Sequence, residues 1–448
     1  MTDHSLDGAG NNSSSIASDD TLYDPITLWE AIKIWFQIGI LSFGGPTAQI
    51  ALMHRVIVDE KKWLTESQFL NALSFCMLLP GPEAMQLATY AGWRLHGVAG
   101  GLATGLLFVL PGAFVVLAMA AIYAAFGSVP FVEALFFGIK AAVLIIVLEA
   151  LLRISRKALK HTEHWIIAGI SLVAIFFFAL PFPLIVFLAG LYGFLRSKKS
   201  GLPEDLVHIT VKPQATVRTV LLWLAIWLLP LILLSSYLGE GAILGQIGWF
   251  FSKLAVVTFG GAYAVLAYMG QDVVQNHGWL TAGQMMDGLG LAETTPGPLI
   301  LVTEFVGYLA AYQQVESLSW LAGLGGALVA LWATFAPCFL WIFAGAPYIE
   351  WIGSQPRLKG ALSAIIAAVV GVILNLSLWF ALHVFFAEVS LEKIGPIQLW
   401  MPDLATLDIY AVALAFISGL LLLRLHWSIP KVLVVSSILA LAISYAPL

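Results

Sequence analysis

The sequence predicts an all-α polytopic membrane protein made of two inverted-topology repeats of about six hydrophobic segments each. One linker helix joins them, and helices are broken or re-entrant at Gly-Gly-Pro and Pro-Gly-Pro. Three observations predict this: an apolar composition, a pattern that occurs twice, and a reversal of loop charge between the two occurrences. Apolar residues make up 60% of the 448 and charged residues only 10%, against about 25% charged in soluble globular chains. Apolar runs such as 166–194 and 361–382 are long enough to cross a bilayer. They are continuous and lack a period of two, which excludes a β-barrel.

Residues 43–82 begin Phe-Gly-Gly-Pro and end Pro-Gly-Pro, and residues 259–298 begin Phe-Gly-Gly-Ala and end Pro-Gly-Pro. The two stretches align without a gap and share fifteen identities, including Trp63-Leu64-Thr65 with Trp279-Leu280-Thr281. The match continues at Gly92/Gly307, Pro111/Pro337 and Ala-Ala-Val 141–143/367–369. An internal repeat of this kind defines the architecture before any single motif does. The first copy reads as broken segments at 27–57 and 66–94, then runs at 98–126, 131–152, 165–180 and 182–196. The second repeats these at 243–274, 281–312, 320–345, 360–386, 408–424 and 428–446, with 219–238 between the copies. In domain terms these are a polar tail at 1–24, a first repeat at 25–197, a loop and linker helix at 198–240, and a second repeat at 241–448.

An odd linker between two even blocks turns the second copy over. Loop charge tests this independently, because cytoplasmic loops are enriched in Lys and Arg. Loop 54–62 holds Arg55, Lys61 and Lys62, while 270–278 has no Lys or Arg. The stretch 153–161 holds Arg153, Arg156, Lys157 and Lys160, while 379–387 has none. The sign reverses at 127–133, which lacks cations where the matching loop carries Arg357 and Lys359. The same charges favour re-entry of 66–94, since a straight span would carry the 153–161 cations outside.

The tail 1–24 is polar and acidic and reads as disordered. It shows no basic n-region followed by an apolar run, so no cleavable signal peptide is expected. Cys76 and Cys338 lie in separate apolar runs, so neither a disulfide framework nor a metal site is expected. The net charge of −5 comes with no basic stripe able to track phosphates, which excludes nucleic acid as a partner.

The chemistry is expected at the breaks. Unwound backbone inside a membrane is tolerated only where protein or a water-filled cavity satisfies it. Proline suits the first turn of a helix, so Pro46, Pro82 and Pro298 are expected to start half-helices. Their N-termini offer free N–H groups and the positive end of the helix dipole, which favour an anion. In an inverted pair such ends converge on one central site. The expected substrate-binding residues are therefore Gly44, Gly45, Pro46, Pro80, Gly81, Pro82 and Gln86 in the first copy. In the second they are Gly260, Gly261, Thr294, Thr295, Pro296, Gly297 and Pro298. Carboxylates would repel an anion, so Glu83, Glu293 and Glu304 are candidate proton carriers, the alternative being caps of half-helices. Lys253 is a candidate anion-attracting cation. Lys140 also falls in an apolar run, and Glu149 reads as an interfacial partner of Arg153. The Trp-Leu-Thr triplets read as interfacial anchors with threonine caps. His161-Thr162-Glu163-His164 sits among cations and is a poor metal site. No nucleophile elbow or phosphate-binding loop occurs, so an enzyme is not expected.

With Phe43-Gly44-Gly45-Pro46, Trp63-Leu64, Pro80-Gly81-Pro82 and Gly92-Trp93 in place, residues 25–448 resemble the chromate ion transporter family. The likeness is to its long-chain members, in which two homologous halves are fused. The resemblance implies export of chromate across the cytoplasmic membrane and chromate resistance, with sulfate as competitor. It carries over at Gly44, Gly45, Pro46, Pro80, Gly81 and Pro82, and at Gly260, Gly261, Pro296, Gly297 and Pro298. Ala262 departs from it, standing where the first copy has Pro46. The energy source is read as membrane potential, a proton gradient or both. The alternatives are an oxyanion importer on the same scaffold and a structural or signalling subunit. No cofactor is expected; the partners are chromate, sulfate as a possible second anion, and the lipid bilayer. The oligomeric state is left open, a homodimer among the options.

Overall fold

Thr27 opens the first helix by accepting the Glu30 N–H on its hydroxyl. The computed structural model describes residues 26–197, 213–239, 241–259, 262–316 and 318–445. The tail 1–24, the loop 198–212 and Gly260-Gly261 lie outside the described residues. Helix α1 (Leu28–Leu41) stops at Ser42, and α2 (Gly45–His54) restarts after it. Between them Gly44 and Gly45 take φ of +84° and +76°, which cost a glycine little and other residues much more. A π-helical turn, Arg55–Glu60, then leads to α3 (Glu66–Cys76). Thr65 caps α3 through a reciprocal box with Gln68.

After the first Pro-Gly-Pro comes α4 (Glu83–Phe126), which folds back on itself at His96-Gly97. Its two arms lie against each other: the Thr104 hydroxyl donates to Ala88 O at 2.8 Å. Gly92 and Gly100 approach so closely that a Cβ on either would strike the other's carbonyl. Helices α5 (Pro130–Ala158), α6 (Thr162–Phe178) and α7 (Phe182–Arg196) complete the first copy. At 1.5 Å per residue, α6 and α7 extend about 25 and about 22 Å, short of a roughly 30 Å hydrocarbon core.

Helix α8 (Pro213–Leu238) links to α9 (Ile243–Val257), α10 (Ala262–Gln271) and a second π-helical turn, Asp272–Asn276. Helix α11 (Ala282–Thr294) has the same Thr281–Gln284 capping box as α3. The second Pro-Gly-Pro follows, then a 3₁₀ turn, Leu299–Leu301, and α12 (Val302–Gln314). Next are α13 (Ser319–Gly345), the short α14 (Ile349–Ser354) and α15 (Pro356–Phe385). Strands β1 (Val389–Ile394) and β2 (Ile397–Pro402) form an antiparallel hairpin before α16 (Ile409–Gly419) and α17 (Ile429–Ser444). Among the described residues, α4, α5, α8, α13 with its following turn, and α15 are long and apolar enough to cross a membrane. The protein is a nearly all-helical, polytopic membrane protein.

The hairpin is a local addition to the all-helical reading. Hydropathy leaves 387–407 as a connection, yet Gly395-Pro396 with φ of +62° at Gly395 fits a type II′ turn.

The two copies interlock. Helix α15 of the second packs on α6 and α7 of the first, and α5 of the first packs on α16 and α17 of the second. The breaks exchange hydrogen bonds in the same crossed manner. Gly81 N–H donates to Thr258 O at 2.9 Å, and Gly297 N–H donates to Ser42 O at 2.8 Å. Ser42 and Thr258 are aligned residues, and each returns its hydroxyl to the carbonyl four residues earlier, Ile38 and Leu254. Each unwound stretch thus finds backbone partners in the opposite copy, as buried polar groups require.

Candidate functional site

A cavity of about 550 Å³ opens beside the first break. One wall is the first turn of α2, Gly45-Pro46-Thr47, and the start of α10, Ala262 and Tyr263, faces into the same space. Met77, Leu79 and Glu83 line it from the Pro-Gly-Pro segment. The N-cap of α2 is Gly44, with no side chain to occupy the first-turn donors. Those donors and the dipole therefore point a partial positive charge toward the cavity.

The remaining wall is basic. Arg153, Lys157 and Lys160 come from the end of α5 and the turn after it, and Lys359 comes from the first turn of α15. His161 and His164 stand between them. Arg153 pairs with Glu149 at 3.0 Å, whereas Lys157, Lys160 and Lys359 have no ion pair among the described residues. His164 braces the wall: one ring nitrogen lies 2.8 Å from Ala158 O, and the other 3.3 Å from the Ser363 hydroxyl. Like charges held this close repel unless something shared neutralises them, and the space between is open to a small polyanion.

Of the residues singled out in the sequence, Gly45, Pro46 and Glu83 line this cavity. Pro80, Gly81, Pro82 and Gln86 form the break at its edge and do not line it. The Gln86 amide donates to Pro80 O at 2.7 Å and holds the bend. Gly44 opens instead on an adjacent hollow with Glu149 and Arg153. Thr294 and Thr295 return their hydroxyls to Leu291 O and Ala292 O, in the last turn of α11. Pro296, Gly297 and Pro298 lie against α4, where a Cβ on Gly112 would fall 2.2 Å from Pro296 O. Glu293 is buried and accepts the Tyr263 hydroxyl at 2.8 Å, which connects it to the cavity wall. Glu304 is buried away from the cavity, and its Oε2 has no partner among the described residues. Lys253 is exposed on α9 and lines no part of the cavity. Gly260 and Gly261 lie outside the described residues.

Sequence reading used the cations of 153–161 and Lys359 only as orientation signals and passed over Gln49. The Gln49 amide donates to Gly297 O at 2.6 Å and to Ser42 O at 3.3 Å, so one side chain stitches the two breaks together. A lone amide in an apolar run, three residues after Pro46, was the available signal.

The family described as chromate transporter matches residues 29–194 and again 245–444. A chromate transport protein of Pseudomonas aeruginosa is 30% identical over 90% of this chain and 89% of its own length. The chromate transport protein of Cupriavidus metallidurans is 30% identical over 78% of this chain and 81% of its own length. An uncharacterized transporter of Bacillus subtilis is 29% identical over 36% of this chain but 91% of its own length, about the extent of one copy. No solved structure matches the chain.

Proposed function

The chain belongs to the chromate transporter family, and from that membership we propose that it carries chromate from the cytoplasm outward. The observation that carries this reading is the basic cavity that ends on the uncapped first turn of α2. Unpaired lysines gather a tetrahedral dianion, and backbone N–H groups receive it without a mobile countercharge.

In this reading the two copies are inverted repeats, and the cation-rich loops mark the cytoplasmic face of a multi-pass protein in the cytoplasmic membrane. The crossed hydrogen bonds at Gly81 and Gly297 support it, because each copy completes the other's unwound segment. The antiparallel arms of α4 support a re-entrant path through Pro80-Gly81-Pro82, and the glycines remain part of the substrate route as it changes sides. The basic cavity is then the cytoplasmic entrance, and rocking of the halves exposes the anion outward. An inside-negative potential favours that direction: one charge moved through 100 mV is worth about 2.3 kcal/mol, and a dianion gains roughly twice that. Glu83 faces the entrance and Glu293 reaches it through Tyr263, so these two, with Glu304, are the candidates for a coupled proton. Export of this kind confers chromate resistance.

Purified protein in proteoliposomes tests the reading. Saturable flux of labelled chromate that sulfate slows by competition supports it. Flux of sulfate with chromate acting only as a blocker would make the protein an oxyanion carrier of another specificity. Absence of flux for both anions in folded, inserted protein would overturn it.

A further inference from the structure

Lys140, Asp287 and Tyr123 form a polar cluster that the proposed route does not use. Lys140 Nζ on α5 lies 3.5 Å from Oδ2 of Asp287 on α11. The Tyr123 hydroxyl, near the end of α4, donates to the same Oδ2 at 2.7 Å. Asp287 is 3% exposed, and its Oδ1 has no partner among the described residues. Two of the three residues belong to the first copy and one to the second, so the cluster ties the copies together. Ionisable groups in a membrane-spanning interior are retained where they do a job, because burying them is costly.

The alignment of the copies says where this cluster stands. Ala-Ala-Val at 141–143 matches 367–369, which pairs Lys140 with Ile366, Phe137 with Ser363, Phe136 with Leu362 and Glu133 with Lys359. Ile366, Ser363, Leu362 and Lys359 all line the open basic cavity. The triplets agree in burial as well, each being almost wholly enclosed. The face of α5 that carries Lys140 is therefore the counterpart of the face of α15 that lines the entrance. In the first copy that face is shut against Asp287, where the aligned residue of the other copy is the neutral Asn71.

We propose that Lys140 is an anion-binding cation of an outward-facing cavity, held shut here by Asp287 and Tyr123. The inference rests on the inverted-repeat reading above. When the halves rock, α5 parts from α11 and the ammonium group is freed to face the departing oxyanion. Asp287 then competes with that anion for Lys140, and its charge repels the anion itself. Re-formation of the Lys140–Asp287 pair expels the anion and closes the outer side. The ion pair is a latch whose key is the substrate's own charge.

Proteoliposomes of defined orientation test this. Lys140→Gln should raise the half-saturating chromate concentration from the external side about tenfold, leaving the cytoplasmic side within about twofold. Lys140→Arg should restore most of the loss, and neutralising Lys157, Lys160 and Lys359 together should give the opposite sidedness. A second readout does not depend on flux. In Phe136→Cys protein, an impermeant thiol reagent added outside should label about fivefold faster once Asp287→Asn opens the latch. The unsubstituted chain provides the blank for Cys76 and Cys338. A Lys140→Gln effect absent or equal on both sides, or labelling unchanged by Asp287→Asn, would overturn the proposal. Should Lys140→Gln fail to reach the membrane, the labelling result decides alone. If the unsubstituted protein moves no oxyanion, the functional reading fails instead, a different outcome from either of these.

Discussion

Around the first break the chain carries Pro46 and Gln49, and Glu83 follows the Pro-Gly-Pro; around the second it carries Ala262 and Val265, and Leu299 follows. The backbones nevertheless do the same thing. Each central glycine, Gly81 at φ +112° and Gly297 at φ +90°, donates its N–H to the carbonyl just before the other copy's Phe-Gly-Gly. The comparison separates two kinds of information. What repeats is the crossed backbone pairing that makes an unwound segment tolerable in a membrane. What differs is the side-chain chemistry: Lys157, Lys160 and Lys359, with no ion pair among the described residues, line the cavity beside the first break, whereas Lys140 is paired with Asp287.

The largest effect is expected where the two regions agree. Gly81→Leu places a Cβ about 3.0 Å from the Gln86 amide, and Gly297→Leu places one 2.9 Å from Leu301. Each also forces a left-handed backbone on a branched residue, at about 1–3 kcal/mol. Both variants should abolish chromate flux while still inserting, and a large flux remaining in one of them alone would break the symmetry of the breaks. Next comes the basic rim. Neutralising Lys157, Lys160 and Lys359 together removes three screened attractions of about 0.5 kcal/mol each, so the half-saturating chromate concentration should rise roughly tenfold. Its salt dependence should flatten as well. Lys253→Gln, on an exposed face of α9, should change it by less than about twofold.

Smaller effects sharpen the contrast between aligned positions. Gln49→Leu leaves Gly297 O without its side-chain donor and should cost about 1–3 kcal/mol in detergent unfolding. Val265→Leu, at the aligned and fully buried place, breaks no hydrogen bond, and its cost of about 1–3 kcal/mol comes from the added methylene alone. The smallest change is expected from Ala262→Pro, which copies Pro46 into the second repeat at the described start of α10. It should be neutral or stabilise by about 0.4–1 kcal/mol, because proline fits a first helical turn and restricts the unfolded chain.

Much of this architecture was legible because it is written in backbone-special residues. Gly-Gly-Pro and Pro-Gly-Pro mark breaks, and the Trp-Leu-Thr triplets announce helix starts capped by Thr65 and Thr281. The cavity was not legible in the same way. Lys157 and Lys359 are about two hundred residues apart in the chain, and the packing of α15 against α5, α6 and α7 brings their ends together. A cation in a loop reads as an orientation mark until its neighbours in space are known. Asp287 was hidden for a related reason: it lies among glycines and methionines of α11, and its partners Tyr123 and Lys140 come from the other copy. The β-hairpin was missed because hydropathy alone does not report the alternation of residues 389–402.

Uptake of labelled chromate into everted membrane vesicles under an imposed potential is the most direct test of an entrance that feeds an outward route. The cytoplasmic face is then on the outside, so export appears as uptake. The account predicts saturable, protein-dependent uptake that an interior-positive potential strengthens, with about 4.6 kcal/mol available to a dianion per 100 mV. Accumulation indifferent to the potential and to any pH gradient, or movement only in the reverse direction, would contradict it.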